Sequence, residues 1–263
     1  METNGLFSLK NKVAIVTGGA GHLGYAISEA LAECGCVVFM VSRHISEDNE
    51  KVVHLRQRFK QRIRTAMVDI GSTESIRKTH QQIVAEYQKI DILVNNAYFG
   101  TPGSLEGMTE ENWNKGIDGS INSVFRCTKE IIPSMKKLLS GSIINIASMY
   151  GTVSPNPEIY GDSGFDNPPN YGAGKAAIIQ FTRYAACHLA KYGIRVNAVS
   201  PGPFPNEEVQ TNKEFIANLK LKVPMKRFGQ PSEIKGVIAL LASDASSFIT
   251  GANIPVDGGW TAW

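Results

Sequence analysis

Val13-Ala14-Ile15-Val16-Thr17-Gly18-Gly19-Ala20-Gly21-His22-Leu23-Gly24 is an apolar run that passes straight into a glycine-rich turn, and a helical pattern from His22 to Glu33 follows it. Strand, glycine turn and helix in this order open a doubly wound α/β sheet. Glycines let the backbone turn tightly and let a pyrophosphate approach it closely. The helix N-terminus behind them offers free N–H groups and the positive end of the helix dipole. The spacing therefore predicts a dinucleotide site, with Gly18, Gly21, His22, Leu23 and Gly24 at the phosphates. His22 either approaches those phosphates or merely covers the turn.

The same rhythm continues outward. Strands are expected at Val13–Thr17, Cys36–Val41, Ile63–Val68, Ile90–Val94, Ser142–Ala147, Ile194–Val199 and Asn253–Val256. They are rich in Val and Ile and mostly apolar throughout, as strands covered on both faces should be. Helical patterns lie between them at His22–Glu33, Asp48–Phe59, Thr73–Gln88, Thr109–Leu139, Tyr171–Lys191 and Pro231–Ala242. Pro133 is expected to kink or divide the long fourth pattern. Alternating strands and helices predict one three-layer Rossmann-type domain over residues 1–263, with about seven parallel strands. Residues 1–10 read as an N-terminal extension. Residues 151–170 and 201–222 read as loops on the substrate side, because both follow the C-terminal end of a strand.

Bulk composition narrows the function. The chain has 263 residues, 43% of them hydrophobic and 19% charged, with a net charge of +3. No block of Lys or Arg stands out, which argues against nucleic acid or an acidic membrane as partner. The apolar runs span about five or six residues, far short of a membrane span. The start, METNGLFSLKNK, has no long apolar stretch of a signal peptide, so a cytoplasmic protein is expected. Cys34, Cys36, Cys127 and Cys187 fit neither a disulfide framework nor a zinc site and read as reduced core thiols. His22, His44, His54, His80 and His188 show no ligand spacing, and no metal is expected.

The cofactor type turns on the end of the second strand, Val41-Ser42-Arg43-His44. A carboxylate there would bond the ribose hydroxyls of NAD and repel a 2′-phosphate. Arg43 instead offers a charge-assisted fork and Ser42 a hydroxyl, so NADP(H) is favoured over NAD(H). The alternative is that Arg43 stacks on adenine and accepts either cofactor. Asp69, next to Ile70, closes the third strand and either accepts from adenine or caps the next turn. Asn95-Asn96-Ala97 closes the fourth strand, where small polar residues suit loop backbone beside a cofactor.

Tyr171-Gly172-Ala173-Gly174-Lys175 opens a helix, and residues four apart share a face. An ammonium at Lys175 would lower the pKa of a phenol at Tyr171 and let it exchange a proton near neutral pH. Ser148 follows an apolar strand and either bonds a substrate carbonyl or simply caps a turn. The set Ser148, Tyr171 and Lys175, together with the glycine turn, favours catalysis.

Taken together these residues resemble the short-chain dehydrogenase/reductase superfamily in its compact form, over residues 11–260. The likeness rests on the glycine turn, Asp69, Asn95-Asn96-Ala97, Ser148, Tyr171 with Lys175, Arg195-Val196-Asn197, Pro201-Gly202 and Thr250-Gly251…Val256-Asp257-Gly258-Gly259. The resemblance implies a seven-stranded Rossmann sheet and an NAD(P)(H)-dependent exchange between carbonyl and alcohol. Tyr171 would be the acid/base. Lys175 would hold the nicotinamide ribose, Ser148 would orient the carbonyl, and Pro201 and Gly202 would border the cofactor. It also implies a homo-oligomer, a dimer or a tetramer formed through the long helices.

Four departures stand out. The turn fits TGxxGxxG, the spacing of the branch with nucleotide-sugar epimerases and dehydratases. Tyr98 replaces the glycine that ends the motif after the fourth strand. Ser120 falls where relatives carry a relay asparagine, while Asn122 lies two residues on; about 200° of helix rotation separates the two. Ser148 and Tyr171 lie 23 residues apart, further than the motif usually has them. Tyr160 is nearer the usual spacing, but Gly164 stands where its lysine would be. The extra segment Pro155–Asn170 is expected to shape the substrate site, and Asn156, Glu158, Asp162, Asp166 and Asn167 either bond hydroxyls or solvate the loop. Together with the ending Gly-Gly-Trp-Thr-Ala-Trp it resembles members from sugar pathways, so a sugar or sugar derivative is the expected small-molecule substrate. Two alternatives stay open: an epimerase or dehydratase that recycles its cofactor, and a non-catalytic sensor of the nicotinamide cofactor.

Overall fold

The computed structural model describes residues 2–161, 163 and 166–263. Seven strands are present: β1 Val13–Thr17, β2 Val37–Ser42, β3 Ile63–Met67, β4 Ile92–Asn95, β5 Gly141–Ile146, β6 Ile194–Pro201 and β7 Asn253–Val256. They form one sheet in the order β3-β2-β1-β4-β5-β6-β7, and every pairing is parallel. The expected strands are all there, their ends displaced by no more than two residues.

Ten helices accompany them among the described residues: α1 Thr3–Leu6, α2 His22–Glu33, α3 Glu50–Phe59, α4 Thr73–Tyr87, α5 Glu110–Ile117, α6 Ser123–Leu138, α7 Pro169–Leu189, α8 Glu207–Gln210, α9 Lys213–Lys222 and α10 Lys235–Ala242. The strand residues alternate between two cores, as a pleat requires. Ala14, Val16, Val38 and Met40 pack with α2, α3 and α10. Val13, Ile15, Phe39 and Val41 pack with α4, α6 and α7. This gives the three-layer α/β domain that the sequence predicts. The N-terminal extension is pinned at its end, where Leu9 is buried and its N–H donates to the Cys34 carbonyl at 2.8 Å. Among the described residues, no helix is long and apolar enough to cross a membrane.

Two expectations need correction. The pattern Thr109–Leu139 does divide, but not at Pro133. The break is a wider turn at Asp118–Asn122, where the N–H of Ser123 reaches back to the Asp118 carbonyl. Phe99 forces this position: a Cβ on Gly119 would lie 1.8 Å from its carbonyl oxygen. Pro133 stays inside α6, where its ring is exposed and Lys129, whose carbonyl loses its partner, also faces solvent. Residues 201–222 begin as a loop and turn helical, as α8 and α9. Of the cysteines, Cys36 and Cys127 are core thiols, but Cys34 is only half-buried and Cys187 is exposed.

The sheet order reverses between β1 and β4. At such a switch point the crossover helices leave on opposite faces, and a crevice opens beyond the strand ends.

Candidate active site

The C-terminal ends of β1 to β6 enclose a cleft of about 500 Å³. At its floor lies the glycine turn. Gly18 has φ +64°, a conformation that favours glycine, and a Cβ on Gly24 would lie 1.9 Å from the Gly18 oxygen. The turn therefore closes directly on α2, and Gly24 stands behind the cleft as a packing residue. Gly18, Gly21, His22 and Leu23 line the cleft. Gly21 is the N-cap of α2 and brings no side-chain acceptor, so the first-turn N–H groups are left for an anionic ligand. The N–H groups of Asn96 and Ala97 donate to Thr17 Oγ1 at 2.9 and 3.0 Å. Asn96 Nδ2 donates to the carbonyls of Thr17 and Gly18. These bonds stitch the end of β4 to the turn.

His22 is exposed and stands beside Phe204 and Glu207 of the 201–222 segment. Its pKa is lowered by partial burial, with Lys51 adding to the shift and Phe204 and Glu207 opposing it. At the β2 end, Ser42 and Arg43 line the cleft, and the Arg43 guanidinium lies 5.7 Å from the Phe99 ring centre. Ile70 lines the same end, whereas Asp69 turns back on its own loop. There its Oδ1 accepts from Gly71 N–H at 2.8 Å, the capping alternative.

Three elements bring together the expected chemistry. Lys175, on α7 and 4% exposed, donates from Nζ to the Ile146 carbonyl at 2.7 Å. Its Nζ lies 5.5 Å from the ring centre of Tyr171, one helical turn earlier. Ser148 accepts from Tyr150 N–H at 3.1 Å and is a hydrogen-bonding neighbour of the Tyr171 hydroxyl. Ser148 thus caps a turn and faces the cleft at once. Pro201 and Gly202 close the far wall.

The titration of Tyr171 departs from expectation. Burial raises its pKa, and only the Ser148 hydroxyl pulls it down; Tyr160 adds to the rise. Burial brings the pKa of Lys175 itself down to about 8, so the lysine gives up its charge before the phenol ionises. The phenol therefore keeps its proton at neutral pH.

Lys175 has a consequence for stability. In the unfolded chain its pKa is near 10.5. Between about 8 and 10.5 the unfolded state binds the extra proton, so the lysine's penalty is fully present below pH 8 and fades as pH rises. Lys175→Met is expected to match or exceed the wild type in thermal midpoint below pH 8, with the gap closing toward pH 10.5, and to lose activity. A variant that melts well below the wild type at pH 7, with no pH-dependent gap, would contradict this.

Ser120 and Asn122 do not line the cleft. Ser120 is 1% exposed; its hydroxyl donates to the Gly116 carbonyl at 2.7 Å and packs under Gly174 of α7. Asn122 is exposed and donates to Asp118 Oδ1 at 3.2 Å. The wide turn directs one inward against α7 and the other outward, so neither side chain reaches the reacting groups.

The extra segment packs against α9. Ile159 is buried, the Tyr160 ring stacks on Phe215, and Tyr160 and Tyr150 share a hydroxyl bond of 3.1 Å. Tyr171 packs at the edge of this aromatic cluster. Asn156 and Asp166 bond within the loop, Glu158 bonds both Asn156 and Lys222, and Asn167 N–H donates to Asp166. Asp162 and Gly164 lie outside the described residues.

Sequence reasoning missed Phe99, Phe204 and Lys51, and noted Tyr98 only as a departure. Phe99 and Phe204 line the cleft, and Lys51 Nζ donates to the Ala20 carbonyl in the glycine turn at 3.2 Å. Phe99 and Phe204 each sit just past a strand end, which was the one available signal.

Comparison with known proteins agrees with this geometry. A family model described as enoyl-(acyl carrier protein) reductase matches residues 18–261. The 3-oxoacyl-(acyl-carrier-protein) reductase of Thermotoga maritima is 34% identical over 253 residues, covering 95% of this chain and 98% of that one. The galactitol 2-dehydrogenase of Rhizobium johnstonii is 33% identical over 261 residues, covering 98% of each. The crystal structure of the NADPH-dependent 3-quinuclidinone reductase of Rhodotorula rubra superposes with a TM-score of 0.90 at 30% identity, covering all of this chain and 96% of that one.

Proposed function

Since the chain belongs to the short-chain dehydrogenase/reductase superfamily, we propose that it reduces a carbonyl to an alcohol, with NADP(H) in preference to NAD(H). The observation that carries this reading is the convergence of Ser148, Tyr171 and Lys175 from β5 and α7 on a cleft floored by the glycine turn. When bound, the nicotinamide supplies the hydride to the carbonyl carbon. The Tyr171 phenol gives its proton to the carbonyl oxygen, which completes the alcohol. Ser148 orients that oxygen with its hydroxyl. Lys175, whose buried ammonium lies beside the Tyr171 ring, would hold the nicotinamide ribose. Burial raises the Tyr171 pKa above its usual value of 10, so at neutral pH the phenol holds the proton that the reduction uses.

The proposed substrate is a sugar or sugar derivative. The named activity of the Rhizobium relative supports this. Association of like copies through α6 and α7, where Phe125 and Tyr184 stand exposed, belongs to the same reading.

The test is a panel of ketones, alcohols and sugars assayed with NADPH, NADH and their oxidised forms. Steady loss of reduced-nicotinamide absorbance with a carbonyl substrate is the expected result. Product without net cofactor change would favour an epimerase or dehydratase, and cofactor binding without any turnover would favour a sensor.

A further inference from the structure

Tyr98 stands after β4 where the superfamily's motif has glycine, and its ring lines the cleft. The ring packs edge-on with Tyr171, with centres 5.2 Å apart and planes at 84°. It also lies 6.0 Å from the Lys175 Nζ, close to the 5.5 Å that separates Nζ from the Tyr171 ring. The ammonium is thus held over two aromatic rings. It donates a hydrogen bond to the Ile146 carbonyl, and no ion pair reaches it among the described residues. A buried cation without a counter-ion needs another source of negative potential, and ring faces supply it at about this range.

The Tyr98 hydroxyl does not explain the residue. Its oxygen is buried without a hydrogen-bond partner among the described residues. It presses on Gly100, where a Cβ would lie 2.1 Å away. Packing therefore fixes the ring, and the ring is what meets the lysine and the tyrosine.

We infer that Tyr98 is a positioning residue: its ring helps to keep the Lys175 ammonium charged and holds the Tyr171 ring beside it. This rests on Tyr171 and Lys175 being the proton-handling pair. The groups that face Lys175 are Tyr171 on its own helix, Tyr98 after β4 and the Ile146 carbonyl at the end of β5; Ser148 and Tyr160 act on Tyr171. Burial is the influence that moves Lys175 itself.

The experiment replaces Tyr98 by phenylalanine and then places one to several fluorines on that ring. Fluorine drains electron density from the face with little change of shape. The pH profile of kcat and the dinucleotide affinity by fluorescence titration are read for each variant. Tyr98→Phe keeps the ring and serves as the reference for the series. Along the fluorinated series the alkaline limb, where Lys175 loses its charge, moves stepwise to lower pH by about 0.4 to 1.5 units in total, with affinity changed less than about twofold. Tyr98→Leu is expected to shift the limb in the same direction; the fluorinated series decides even where that variant folds poorly. A limb that stays in place along the series overturns the inference. Tyr171→Phe is run beside it: an inactive Tyr171→Phe with a flat fluorinated series removes only the role of Tyr98, whereas a fully active Tyr171→Phe removes the proton-handling pair on which it rests.

Discussion

Tyr171→Phe is expected to lower kcat for carbonyl reduction by about 10²- to 10⁴-fold, the usual range for one proton-transferring side chain. The ring is retained, so its contact with Tyr98 and its place beside the aromatic cluster of Tyr150, Phe215 and Trp260 are kept. What is lost is one hydroxyl that neighbours Ser148. Fold and dinucleotide affinity should therefore change little, and the defect should appear in the chemical step. Single-turnover decay of reduced-nicotinamide absorbance isolates that step from binding and release. The pH dependence adds a second check. Reduction needs the phenol protonated and the lysine charged. Burial raises the first pKa above its usual value of 10 and lowers the second to about 8. Reduction should therefore be level through neutral pH and fall as pH rises past about 8. Oxidation of an alcohol needs the phenolate and should gain with pH instead. Turnover by Tyr171→Phe within tenfold of the wild type would remove the phenol from the mechanism.

The strands were legible because their residues are apolar on both faces. Val13–Thr17 matches to the residue, since a buried β-branched run bounded by turn residues leaves little choice; Asn253–Val256 matches too, an edge strand where Pro255 is tolerated. The partnership of Tyr171 and Lys175 was legible because one helical turn separates them. Its electrostatics were not, because burial depends on what other elements bring to the site. Tyr98 and Ile146 come from β4 and β5, and nothing near Tyr171 in the chain reports them. The wide turn at Asp118–Asn122 was hidden for a similar reason. Asp, Gly, Ser and Asn weaken a helix there, but only the Phe99 carbonyl against Gly119 and Asn170 against Gly116 reveal the constraint. Pro133 misled because its cost depends on exposure: on a solvent-facing stripe, water replaces the missing bond. Asp69 misled in part as well, since its carboxylate serves its own loop through Gly71 before any ligand is considered.

Arg43→Asp is expected to reverse the cofactor preference. The end of β2 presents Ser42 and Arg43 to the cleft, and Lys51 adds a second positive charge beside the glycine turn. No carboxylate lines this end of the cleft among the described residues. Such a wall suits a 2′-phosphate, and a guanidinium fork bonds one more strongly than a neutral donor does. Removing that fork costs about 1.5–3 kcal/mol, which corresponds to roughly 10- to 150-fold in kcat/KM for NADPH. A carboxylate at this position would also repel the phosphate and accept from ribose hydroxyls, so kcat/KM for NADH should hold or rise. Arg43 is exposed and lies over the Phe99 ring, so the fold should not suffer. Arg43→Lys separates charge from shape: it keeps the positive charge but loses both the fork and the flat face over Phe99, and should retain only part of the preference. If Arg43→Asp leaves the ratio of NADPH to NADH efficiency unmoved, the guanidinium serves as a stacking surface for either dinucleotide, and the phosphate preference has no basis at the end of β2.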